Sequence, residues 1–61
     1  MVEKVRQYFR DNYGYINLSE LSDVQIDEFM NQSYVKGKSF ERQMDLLQDN
    51  ILANGLAEVQ E

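Results

Sequence analysis

The sequence contains no cysteine, histidine, proline or tryptophan and only three glycines. Without Cys there is no disulfide, and without Cys or His no zinc cluster, to reinforce a chain of 61 residues. A chain this short buries only about 60% of the surface it exposes when unfolded, so association with a partner or a second copy is the reinforcement left over. The same absences remove the commonest neutral-pH base and the best nucleophile, so an enzyme is not expected. Nor is there a glycine-rich phosphate loop, a G-x-S-x-G turn or an EF-hand spacing, and no cofactor or metal is expected. Zero cysteines fit a reducing cytoplasm. The longest apolar run is Ile51-Leu52-Ala53, so neither a secretory leader nor a membrane span is expected.

What is present is charge of one sign, unevenly spread. The net charge is −5. The bases fall in two clusters, Lys4, Arg6 and Arg10 and then Lys36, Lys38 and Arg42. Between them lie Asp11, Glu20, Asp23, Asp27 and Glu28 with no base, and after them Asp45, Asp49, Glu58 and Glu61 with none. Such a balance keeps a small protein soluble and argues against general binding to a phosphate backbone.

The stretch from Ser39 to Leu52 carries the clearest pattern. Phe40, Met44, Leu47 and Ile51 recur at helical spacing and predict a core-facing stripe, with Ser39 as N-cap and Asn54-Gly55 closing the helix, Leu56 folding back on its last turn. Upstream, Val2, Val5, Phe9 and Tyr13 share a helical face, and Gly14 stands where a left-handed cap would sit. A second helix opens at Ser22, which forms a capping-box pair with Gln25 while Leu21 and Ile26 suit a hydrophobic staple. Ile26, Phe29, Met30 and Ser33 give its inward side, with Val24 and Val35 on the other. Gly37, able to take positive φ, then turns the chain. Residues 15–18 alternate briefly and read either as a loop whose Ile16 and Leu18 plug the core or as a strand paired with its copy in a dimer. The expected fold is a single all-α domain over 1–61, with helices at about 2–12, 22–35 and 39–53 and a frayed tail at 57–61. Helices two and three form an antiparallel hairpin, and helix one packs across it.

Two functional readings follow, neither enzymatic. The carboxylate pairs Asp23 with Asp27 and Asp45 with Asp49 read as solvated charge. Leu46 and Leu52 flank the stripe, and Tyr34 and Val35 add to an apolar surplus together with Tyr8, Tyr13 and Tyr15. Surplus of this kind marks protein contact, so Tyr34, Val35, Leu46 and Leu52 are candidate contacts, with Asp45 and Asp49 steering a basic partner or the surface closing a homodimer. In the alternative, helix, glycine turn and helix form a small dimeric helix-turn-helix protein that meets DNA through Lys36, Lys38, Arg42 and Gln43.

The helix opening at Leu21-Ser22-Asp23, followed after a turn by Asp45-Leu46-Leu47, Ile51 and Leu56, resembles in layout the sporulation checkpoint inhibitor family. Those proteins are helical hairpins that bind and block a sensor histidine kinase. The likeness covers residues 21–56 and rests on generic amphipathic spacing. The turn is one residue longer here, and Leu52, Ala53 and Asn54 replace that family's basic residues before the closing Leu. It illustrates that such hairpins work as inhibitors. The sequence thus predicts a small acidic binder of a protein, a regulator or inhibitor of bacterial or phage type.

Overall fold

A computed structural model describes residues 1–54, with Asn54 placed in its backbone only; the Asn54-Gly55 cap, the Leu56 return and the tail at 57–61 lie outside the described residues. The architecture is all-α. Helix α1 spans Val2–Asn12, α2 Asp23–Met30, α3 Ser33–Lys36 and α4 Phe40–Asn54, with a single 3₁₀ turn at Leu18–Glu20 between α1 and α2. Helix α1 packs against both α2 and α4, and so does α3. The core joins Val5 and Phe9 of α1 to Ile26, Phe29 and Met30 of α2 and to Met44, Leu47 and Ile51 of α4. Each fully buried aliphatic or aromatic side chain of this kind contributes about 1.5–3 kcal/mol. No helix among the described residues is long and apolar enough to cross a membrane.

The predicted second helix is broken, which makes four helices of the expected three. Asn31 ends α2 at φ −92°, ψ 0°, and its side-chain amide donates to the Asp27 carbonyl at 2.9 Å. Gln32 is extended, at φ −69° and ψ 147°, and α3 starts anew behind it. Polar side chains that bond to nearby backbone in this way compete with helix propagation. The break re-aims everything after it. Val35, expected on the outer side, has no exposed surface, whereas Ser33, expected inward, is exposed. The chain therefore enters α4 from the one-turn α3 and not from one long helix.

The start of α2 follows the sequence closely. Ser22 Oγ accepts from the Gln25 N–H at 3.1 Å, and Gln25 Oε1 accepts from the Ser22 N–H at 2.9 Å. Leu21 and Ile26 on either side are both buried. Likewise Ser39 Oγ accepts from the Arg42 N–H at 3.2 Å and starts α4. The glycines behave otherwise: Tyr13 at φ −131°, not Gly14, caps α1, and Gly37 sits at φ −89°, so neither turn uses the left-handed region.

Residues 15–18 form no strand, and with it goes the strand-paired dimer. A lone strand would leave its backbone groups unpaired. Instead the Ile16 N–H donates to the Tyr13 carbonyl at 2.8 Å, Asn17 Oδ1 accepts from the Ser19 N–H at 2.9 Å, and Leu18 enters the 3₁₀ turn. Ile16 and Leu18 are buried plugs.

One side chain ties this connector down. Arg6 donates from Nη1 to the Leu18 carbonyl at 2.9 Å, and from Nη2 to the Leu21 carbonyl and to Asp23 Oδ1, both at 2.8 Å. Arg6→Ala leaves the Leu21 carbonyl without a partner, while the Leu18 carbonyl keeps the Leu21 N–H, and is expected to cost about 2 kcal/mol, lowering the Tm by roughly 10 °C. Asp23→Asn removes only an exposed charge and should cost under about 1 kcal/mol. Thermal unfolding followed by circular dichroism compares the two; equal losses would assign the latch to the ion pair and not to the carbonyls.

Candidate functional site

Helix α4 buries one side and presents the other. With Phe40, Met44, Leu47 and Ile51 turned to the core, a 3.6-residue period puts Glu41, Asp45, Gln48, Asp49 and Leu52 together on one flank, with the exposed Arg42 at its outer edge next to Asp49. Glu41, Asp45, Asp49 and Leu52 are exposed, Leu52 at 63%. Two tyrosines from the end of α1 border this side. Tyr13 donates its hydroxyl to Asp45 Oδ1 at 3.0 Å, and the Gln48 amide donates to the Tyr15 hydroxyl. The two rings meet edge-on with centroids 6.3 Å apart. Tyr13 also stands edge-on to Phe9 and Tyr8, and Tyr8 to Phe40, so an aromatic chain runs along the α1–α4 seam. Beside it a shallow groove of about 380 Å³ is lined by Lys4, Gln7, Tyr8, Asp11, Phe40 and Glu41. Lys4 Nζ lies 4.6 Å from the centre of the Phe40 ring.

The electrostatics of this face are negative. Among the described residues Arg6–Asp23 is the one ion pair, so Glu41, Asp45 and Asp49 have no cation bound to them. Tyr13 feels the consequence. Burial, the hydrogen bond it gives Asp45 and the negative charge of that carboxylate push its hydroxyl up to about 12, with smaller contributions from Tyr8 and Tyr15.

The predicted contact residues fall into separate groups. Asp45, Asp49 and Leu52 are brought together on the outer side of α4. Leu46 lies round the helix from them, half-buried against the core. Tyr34 is 49% exposed, but it belongs to α3 and leans edge-on over Phe29 at 6.2 Å. Val35 is withdrawn altogether, because the break at Asn31-Gln32 turns it inward. Tyr15 and Gln48 join the face instead. The step of three and four residues from Asp45 to Gln48 to Leu52 could have placed Gln48 there, whereas its tyrosine partner is visible only in the fold.

Of the residues expected to meet DNA in the alternative reading, Lys36, Lys38 and Arg42 are exposed. Gln43 is not: it is 8% exposed, and its amide donates to the Val35 carbonyl at 3.0 Å and the Lys36 carbonyl at 3.4 Å. It closes the C-terminal end of α3, where carbonyls lack helical partners. Asp23, for its part, is taken up by Arg6. The chain matches no protein-family model, no curated protein and no solved structure.

Two measurements probe these roles. Gln43→Glu, which puts a carboxylate against two carbonyls, should destabilise by about 2 kcal/mol or more in urea unfolding, while the exposed Arg42→Ala stays within about 0.5 kcal/mol. Ultraviolet titration should show one of the four tyrosines ionising near pH 12, a phase missing in Tyr13→Phe. Its folded value lies above the ordinary value of 10.0, so the stability it contributes is complete below pH 10.0 and is lost as pH rises through about 12.

Proposed function

We propose that this protein is a non-enzymatic binding module that docks a basic segment of another protein on the outer side of α4, acting as a small regulator or inhibitor. The observation that carries this reading is the combination on one helix side of three carboxylates without bound cations, an exposed Leu52 and the exposed Tyr15 ring. Tyrosine and an aliphatic anchor supply contact area, and the carboxylates steer and orient a cationic partner. The two tyrosines are already hydrogen-bonded to Asp45 and Gln48, so little side-chain freedom is lost on docking. The aromatic groove along the α1–α4 seam extends the same surface.

Capture from a lysate of the source cells by the immobilised protein tests the proposal when variants are compared. Asp49→Lys combined with Leu52→Glu is expected to weaken retention of the specific partner by at least about tenfold, and rising salt should slow its association. Val24→Glu, an equally exposed site on α2, should retain the partner fully. Recovery of the protein alone as a stable monomer, or equal retention by both variants, would overturn the reading.

A further inference from the structure

We propose that the cleft between α1 and residues 14–19 binds a monocarboxylate with an apolar body, Arg10 pairing with the carboxylate. The cleft measures about 560 Å³, and Arg6, Phe9, Arg10, Ile16, Asn17 and Leu18 line it. That volume lies within the roughly 300–1,000 Å³ of small-ligand sites. Its floor is apolar, formed by Phe9, Ile16 and Leu18, and its rim carries Arg6, Arg10 and Asn17. Two of the six bases of a chain with net charge −5 stand here.

The two arginines are in different states. Arg6 is held by the Leu18 and Leu21 carbonyls and by Asp23, which fixes its position and compensates its charge, so Arg10 is the cation left for a ligand. Arg10 is exposed; its Nη2 donates to the neutral Gln7 Oε1 at 2.8 Å, and no carboxylate among the described residues pairs with it. Gln7 in turn donates to Asp11, which keeps that carboxylate one side chain away. Asn17 spends its oxygen on the Ser19 N–H and keeps its amide hydrogens as donors. A planar guanidinium matches a carboxylate in two parallel hydrogen bonds. An inorganic anion would leave the apolar floor unused, and a neutral hydrocarbon would leave Arg10 unpaired. This site lies off the α4 face and stands independently of the partner proposed for it.

Two-dimensional amide NMR of the full chain titrated with hexanoate reads the site directly. Saturable shifts confined to Arg6, Phe9, Arg10 and residues 14–19 are expected, with acetate and hexanol each at least about tenfold weaker. Arg10→Ala, which loses only the Gln7 contact, should keep the dispersed spectrum and lose the saturable shifts, and Arg10→Lys should restore them in part. Acetyl-Ala-Ala-Leu with a free terminus, compared with its amide, separates the two sources: tighter binding of the free tripeptide than of hexanoate assigns a peptide C-terminus, and the reverse order a small organic acid. Equal response to hexanol or to acetate, shifts unchanged in Arg10→Ala, or no saturable shift would overturn the proposal.

Discussion

The guanidinium of Arg6 is where three parts of the molecule are tied. It reaches from α1 to the 3₁₀ turn at Leu18, to the extended Leu21 and to the first residue of α2. The connector it holds has no partner strand, and buried carbonyls without partners cost about 1–3 kcal/mol each. For a domain of this size, whose whole stability is only a few kcal/mol, that is a large share. Burial of Ile16, Leu18 and Leu21 supplies the driving force, and Arg6 makes the burial permissible by satisfying the backbone that comes with it. Gln43 serves the second such place, the end of α3.

Charge is sorted accordingly. Arg6 and Arg10 of α1 are spent on, or stand beside, the connector, while Lys4 lies over Phe40 at the α1–α4 seam; the outer side of α4 keeps carboxylates with no bound cation among the described residues. Only the hydroxyl of Tyr13 reaches Asp45. One small molecule therefore presents two surfaces of opposite electrostatic character, a negative helix side bordered by tyrosines and a positive cleft with an apolar floor. A partner meeting the first has no reason to compete with a ligand in the second. The basic cluster at Lys36, Lys38 and Arg42 is exposed but lacks its base-reading amide, because Gln43 is used inside.

Local rules were legible where they involve residues close in sequence. The Ser22–Gln25 box, the Ser39 cap and the Phe40, Met44, Leu47 and Ile51 stripe all stand as the spacing implies. Asp45, Asp49 and Leu52 fall on one side of α4 by the same period, while Leu46, grouped with them in the sequence, lies round the helix. Val35 turns inward because the helical period is interrupted at Asn31-Gln32, where side-chain bonding to backbone outweighs apolar spacing over a single turn. The glycines add no left-handed turn: the chain turns at Tyr13 and Gly37 with negative φ.

By itself the amino-acid order determined that this chain is helical, where α1, α2 and α4 begin and which side of the last one is core, since capping and a 3.6-residue period act over neighbouring residues. Only the tertiary structure decided which polar residues are structural and which are offered to solvent. Arg6 and Gln43 differ from Arg10 and Gln48 in nothing the sequence displays. What separates them is the backbone they meet across gaps of seven to fifteen residues, and such meetings arise from packing, not from local pattern.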